Sequence, residues 1–556
     1  MVMCFAMLAA CGSKDTGAAN TGAANTGGGT TTMPTTAVTD SSSGSLGTVD
    51  TAVKYKDTVR LSVASEISNG AFYCVTSAQS GYISAMTHQA LTEKDVVTGE
   101  LVGSLAKSWE DTSGNGTVWE FKLDETARFH HFDVDYAPVT SEDVKWTFEW
   151  ATPGGPGVQE GVVIRTLTAM NQVDTIETPD DHTVIFKLKS PVFDFDEQIT
   201  SWRILSEKSM EEFGHIDGQD TGSGPYYINY AESFNAQYWT LTRFDDYWKG
   251  IENHATKNVV FVIHPEQNTG VAALQAGEVD GIPGIKAENA LLFQGNDDYK
   301  FYNINGISPA SIFFNSHAGK GMFDNEDTPE QIKLRQAIKL AIDRDGICAV
   351  LYAANPAAGD RADNLFNESS GTGVVTGYVA EYNVEKAQAM MKELGYNENN
   401  KLKIKLCHYV SYTNYAQIVQ DQLKNIYIDA QCVQFDTSVF GTTLRTGEGW
   451  DMAVNYYGPG TTLSNCMLVN LRSNGSNAGA YGWSSEEMDK RIDNVLAQTT
   501  LESQLSAYAE FQAWCNDYAP RIPTHAGNTM NLMVAEMEGY MASAVRTDYT
   551  TIRIPE

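Results

Sequence analysis

Three stretches decide how this chain is read: Gly222-Ser223-Gly224-Pro225-Tyr226, Leu241-Thr242-Arg243-Phe244-Asp245-Asp246-Tyr247-Trp248-Lys249-Gly250, and Leu274-Gln275-Ala276-Gly277-Glu278-Val279-Asp280. The first predicts a turn, where glycine's backbone freedom and proline's fixed φ are both useful. Trp248, in the second, is expected to fill a core. Between the second and third lies Val259-Val260-Phe261-Val262-Ile263, a continuous apolar run bounded by polar residues. Such a run predicts a strand covered on both faces.

Outward from there, strand and helix patterns alternate. Thr117–Leu123, Thr183–Leu188 and Leu402–Leu406 alternate apolar and polar residues, as half-buried strands do. Pro329 to Ile342 places Leu334, Ile338, Ala341 and Ile342 on one helical stripe. Val384 to Leu394 does the same with Ala387, Met391 and Leu394, starting after Asn383 and stopping at Gly395. Ser484 with Glu487 predicts a capping box, and Thr140-Ser141-Glu142-Asp143 opens a helix that buries Val144 and Phe148. The class is mixed α/β.

Composition bounds the function. The net charge is −32, from 70 acidic and 38 basic residues, which argues against nucleic acid as a partner because that would demand a basic face. No run of 18 apolar residues occurs after position 11, so no bilayer-spanning helix is predicted. Cys74, Cys348, Cys407, Cys432, Cys466 and Cys515 form no zinc-type spacing, and buried free thiols are the default. Cys407 and Cys432 fall in strands that could be neighbours. No GxSxG or HExxH appears, which argues against a hydrolase. No cofactor and no metal site is expected. His130-His131 with Asp133 invites a metal reading, but adjacent residues of an extended segment face apart.

The start of the chain carries a different signal. Leu8-Ala9-Ala10-Cys11-Gly12 resembles the lipobox of a bacterial lipoprotein, in which the cysteine is lipidated and becomes the mature N-terminus. The alternative is a chance cysteine after an apolar run. Residues 1–11 are therefore read as a signal peptide, and the absence of a basic residue before Cys11 predicts a true start upstream. Residues 12–54 form a Gly/Thr/Ser linker whose flexible 12–50 portion has a reach of roughly 34 Å.

The order of the blocks identifies more than any one of them. His88-Gln89-Ala90-Leu91, then 99–110 ending in Trp109-Glu110, the Trp119–Leu123 strand, Ala127-Arg128-Phe129-His130 and Pro138–Val144 precede the opening stretches. Phe314-Asn315, Leu334 to Arg344 and Ala519-Pro520-Arg521-Ile522-Pro523 follow them. This succession, covering nearly all of 58–525, resembles the extracytoplasmic solute-binding proteins of ABC importers, family 5, the peptide/nickel type.

The resemblance implies a two-lobed periplasmic-binding-protein-like fold of type II, in the large cluster with an extra inserted subdomain. Lobe I would comprise 55–308 plus 525–556, with the subdomain at about 86–199. Lobe II would be 309–524. It implies a monomeric, non-enzymatic protein, lipid-anchored at the cell membrane outside the cytoplasm. There it would capture an oligopeptide between its lobes and deliver it to an ABC permease and ATPase complex. An oligosaccharide, a nickel or other metal chelate, and haem are the alternative ligands; a receptor-type lipoprotein is the alternative role.

It also implies where ligand would touch. Glu66 falls where peptide-binding relatives carry an acidic contact; the alternative is a solvated loop carboxylate. Tyr456 and Tyr457 end a strand at the cleft, with only one of them facing ligand. Gly460 stands where those relatives place the aspartate that pairs with a peptide's α-ammonium, and no carboxylate lies between Asp451 and Glu486. Tyr409, His408, His525 and Trp202 complete the candidates, with packing as the alternative for the histidines and the tryptophan. Arg335 and Asp343 are expected to make scaffold hydrogen bonds.

Overall fold

The computed structural model describes residues 49, 52–64, 78–130, 138–150, 152, 155, 170, 172–213, 222–234, 236–306, 308–324, 327–366, 371–456, 462–473, 475–544 and 546–556. Two large sheets organise these residues.

The first has the order Tyr299–Ile304, Thr529–Val534, Gly281–Ile282, Thr58–Val63, Asn258–Ile263, Tyr238–Arg243, Tyr226–Ile228. Thr58–Val63 runs parallel to Asn258–Ile263, with Val59 opposite Val259. The apolar run of Asn258–Ile263 explains this central position. Val259, Phe261 and Ile263 enter one core with Leu61, Tyr226 and Tyr549, while Val262 packs from the other face against Leu274, Ile282 and Leu532.

The second sheet has the order Gly359–Arg361, Ile522–Gly527, Ala310–Phe314, Met452–Tyr456, Leu402–Tyr409, Ile428–Phe435. Its last two strands are parallel, so Cys407 and Cys432 sit on neighbours, Cys432 opposite Leu406. Both are free thiols. Helices cover this sheet. Pro329–Leu340 is capped by Thr328, whose side chain accepts from the Gln331 N–H, and buries Leu334, Ala337 and Ile338. It ends at Leu340 rather than Ile342, because Asp343 caps a new helix, Arg344–Leu351, by accepting from the Gly346 N–H. Arg335 is fully buried and donates to the carbonyls of Ala519 and Tyr518. Asn383 caps Val384–Glu393. The cap of Glu486–Leu496 is Ser485, one residue beyond the expected Ser484, because its hydroxyl accepts from the Met488 N–H.

A third, four-stranded antiparallel sheet is built from Ala106–Asp111, Val118–Leu123, Thr183–Leu188 and Val173–Asp180. It carries its own core around Phe121, Phe148, Phe186 and Phe195. The glycines of Gly222-Ser223-Gly224 join it to the first lobe by close approach: a Cβ would lie 1.9 Å from the Thr87 carbonyl oxygen at Gly222, and 2.3 Å from that of Met86 at Gly224. Tight packing, more than φ freedom, requires glycine here.

The chain passes between the two large sheets twice. Tyr299–Ile304 leads through 305–309 into Ala310–Phe314, and Ile522–Gly527 leads through Asn528 into Thr529–Val534. The return crossing therefore falls at Asn528 rather than between 524 and 525, because pairing with Gly359–Arg361 holds His525, Ala526 and Gly527 in the second sheet.

Candidate functional site: the interlobe crevice

Strand direction shows which sheet edges meet at the crossings. In the second sheet Ala310 opposes both Tyr456 and His525, and Leu402–Tyr409 runs parallel to Met452–Tyr456. Tyr409, Tyr456 and His525 thus share the edge that the crossing strands leave. In the first sheet Ile304 opposes Thr529 at the crossing end, Ile282 opposes Leu532, and Leu61 pairs in parallel with Gly281. Val63 and Ile263 therefore end at the same edge. Strand C-termini of both lobes look into one crevice, where open α/β sheets hold their ligands.

The second lobe lines this edge with tyrosines. After Tyr409 the chain makes a single 3₁₀ turn, Val410–Tyr412, and enters the helix Thr413–Lys424. That path packs Tyr412 against Tyr409 at 4.3 Å between ring centres, the rings tilted by 54°, and brings it within 6.2 Å of Tyr456 and 6.0 Å of Tyr415. Phe440 packs behind Tyr409 at 5.5 Å. Tyr456 is 48% exposed, and Val410 and Val439 are exposed as well. Burial pushes the hydroxyls of Tyr409 and Tyr412 above their ordinary value, so these two stay uncharged.

His525 lies beneath that shelf. Its ring packs edge-on against Tyr415 at 4.6 Å and against Tyr352 at 5.9 Å, with Nδ1 3.0 Å from the Thr524 hydroxyl. Burial pushes its pKa down to about 4, which keeps it neutral. On the opposing lobe, the Ser62 hydroxyl lies 2.9 Å from His264 Nδ1, where Thr58–Val63 and Asn258–Ile263 both end.

The hinge itself is tight. The Gly306 N–H donates to Asn528 Oδ1 at 2.9 Å, and Asn528 Nδ2 donates to the Ala357 carbonyl and to Asp360 Oδ2. Short segments bonded in this way suit rigid-body closure of two lobes.

Residues 100–479 match the family model described as bacterial extracellular solute-binding proteins, family 5. The chain belongs to this family. It is an extracytoplasmic, ABC-transporter substrate-binding protein on a two-lobed α/β fold, and its relatives are binding proteins, not enzymes. Heme-binding protein A of Haemophilus influenzae is 22% identical over 88% of this chain and 92% of its own length. The ABC transporter-associated periplasmic binding protein DppA of Helicobacter pylori, solved with the peptide STSA, superposes with a TM-score of 0.72 at 19% identity, covering 90% of this chain and 99% of its own. NikA of Brucella suis, solved with Fe(III)-EDTA, gives 0.73 at 20% identity over 89% of this chain and all of its own.

Among the candidates named from sequence, Tyr409, Tyr456 and His525 come together at the second-lobe edge. His408 is buried, with its Nδ1 3.1 Å from the Tyr409 carbonyl. Trp202 is buried in the core of the four-stranded sheet, 6.2 Å from Phe148. His130 is likewise buried, its Nε2 2.6 Å from the Gly224 carbonyl. Glu66, Tyr457, Gly460 and the lipobox Cys11 lie outside the described residues, as do Cys74, His131 and Asp133. Tyr412, Tyr415, Tyr352 and the Ser62–His264 pair were missed. The spacing Tyr409-x-x-Tyr412-x-x-Tyr415 was visible as a string, but the turn that packs the first two rings together was not.

Proposed function

We propose that this protein is a lipid-anchored substrate-binding protein that captures an oligopeptide between its lobes and hands it to an ABC permease with its ATPase. The observation that carries the reading is the tyrosine shelf of Tyr409, Tyr412 and Tyr456 at the edge from which the chain crosses between lobes. Such a surface gives a peptide apolar area and hydroxyl hydrogen bonds without demanding one side-chain sequence. Main-chain bonds and trapped water supply the remainder. Glu66, Tyr457 and Gly460 would complete the site, with Glu66 as the partner for a terminal ammonium.

Cys11 would carry the lipid, and two acyl chains suffice for stable anchoring. No helix among the described residues is long and apolar enough to cross a membrane. Metabolic labelling with a radioactive fatty acid tests it: label on the wild type and none on Cys11→Ala supports the anchor, and equal labelling refutes it.

A flat ligand such as haem is the second reading. Two observations favour it: the half-exposed ring of Tyr456 and the lack of any carboxylate between Asp451 and Glu486, which leaves a buried ammonium without a partner on that side. A thermal-shift screen separates the two. Short peptides raising Tm supports the first reading, and a shift with haem alone supports the second.

A further inference from the structure

The four-stranded subdomain touches the second lobe through a carboxylate whose position is unusual. Asp194 is the N-cap residue of the short helix Phe195–Gln198, yet its side chain makes no capping bond to that helix. An aspartate at an N-cap ordinarily accepts from its own helix, a bond worth about 1 kcal/mol. Here the carboxylate turns the other way. Its Oδ2 accepts from the Ser464 hydroxyl at 2.5 Å, across a sequence separation of 270 residues. Gln198 Nε2 donates both to Asp194 Oδ1 and to Ser464 Oγ, at 2.9 Å each.

Ser464 belongs to the first turn of the helix Leu463–Asn470, whose own cap, Thr462, accepts from the Asn465 N–H. The Thr462 hydroxyl lies 3.1 Å from that of Ser464. A second link lies beside the first: Glu197 accepts from the Thr372 hydroxyl at 2.8 Å, while Lys94 of the first lobe lies 2.9 Å from its other oxygen. Gln198 and Ser464 are buried, so the contact is desolvated, and breaking it would leave buried polar atoms without partners.

The place of this contact in the chain gives it a role. Met452–Tyr456 ends at the crevice, and only residues 457–461 separate it from Thr462. Thr462, which caps the helix held by Asp194, thus follows Tyr456 of the tyrosine shelf by six residues in sequence. We propose that Asp194 is a positioning residue for ligand capture, a latch that holds the second lobe's helix Leu463–Asn470 against the subdomain and stabilises the closed arrangement of the lobes. The inference rests on the proposed capture by lobe closure. Opening the lobes breaks the Asp194–Ser464 and Glu197–Thr372 bonds together, and closing restores both.

Hydrogen–deuterium exchange on the full chain without added ligand tests this, comparing Asp194→Ala, Ser464→Ala and the double variant. In each single variant the amides of 463–470 are expected to lose protection by about tenfold, the scale of leaving a buried polar group without its partner. Protection in the remote helix Glu486–Leu496 stays at the wild-type level. The double variant should be no worse than the more affected single one, since both remove the same bond. Asp194→Asn, which keeps the shape and one acceptor oxygen, should lie in between and guards against a variant that fails to fold. A loss confined to Phe195–Gln198 with 463–470 protected as before, or strictly additive effects, would overturn the latch. Because no ligand is added, failure to capture peptide leaves this result untouched, and the two failures are told apart.

Discussion

The backbone N–H of Gly306, on one crossing segment, donates at 2.9 Å to the side-chain oxygen of Asn528, on the other. The two passages between lobes are thereby bonded at the point where they must flex. Asn528 Nδ2 ties the same point to Asp360 and Ala357, so the hinge is anchored to the edge strand of the second lobe.

Asn528→Ala removes all three side-chain bonds and is expected to cost about 1–3 kcal/mol. It should also widen the range of lobe angles, read as a larger radius of gyration in small-angle X-ray scattering. Gly306→Ala places a Cβ 2.3 Å from the Gly527 carbonyl oxygen, a backbone atom that cannot step aside. That variant should lower Tm more than Asn528→Ala does. An unchanged Tm in both would refute the tight hinge.

Tyr456 offers a clean test of the shelf. Its ring is half-exposed, so Tyr456→Ala should change Tm by no more than a few degrees while lowering ligand affinity at least tenfold, as truncation of a buried aromatic contact does. Tyr412 packs against Tyr409, so Tyr412→Ala should weaken both binding and stability. Isothermal titration with whichever ligand raises Tm reads the first effect, and thermal unfolding reads the second.

His525 gives the protein an acid-side sensitivity. Its folded pKa, about 4, lies below the ordinary 6.5 because of burial. The unfolded chain therefore binds the proton more readily. The stabilisation from neutral His525 is complete above pH 6.5 and is lost as pH falls toward 4, by up to roughly 3 kcal/mol. His525→Phe keeps the ring between Tyr352 and Tyr415 but cannot titrate. The Tm of this variant relative to wild type should improve steadily from pH 7 to pH 4.5; a constant difference would show that His525 does not contribute.

Arg335 illustrates a scaffold role that sequence and structure agree on. It is fully buried, its guanidinium lies 4.7 Å from the ring centre of Tyr518 and 5.6 Å from that of Trp483, and it bonds two carbonyls at the end of the long helix Leu501–Tyr518. Arg335→Met keeps much of the volume yet strands those carbonyls, for an expected loss of about 2–4 kcal/mol in denaturant unfolding. Ligand affinity at temperatures where the variant is folded should stay the same.

The elements that sequence made legible are those whose signal is local. The alternation of Val118–Leu123 and Thr183–Leu188, and the cap at Asn383, need only neighbouring residues to be read. The site was legible in part. Tyr409, Tyr456 and His525 were nameable because the resemblance implies contacts in second-lobe loops and near the final crossing strand, yet the burial of His525 depends on Tyr352 and Tyr415, which approach it from two separate helical segments. The Asp194–Ser464 bond was invisible for the same reason: an N-cap aspartate reads as a local cap until the other lobe is seen beside it. The helix boundary at Leu340 was lost because an unbroken apolar stripe does not reveal that Asp343 starts a new helix.

Native mass spectrometry of the purified protein, with no step that strips bound ligand, tests the central claim most directly. Capture of oligopeptides between the lobes predicts a spread of added masses matching short peptides, released on mild activation and absent or much reduced in Tyr456→Ala. A single discrete non-peptide mass, unaffected by that substitution, would contradict it.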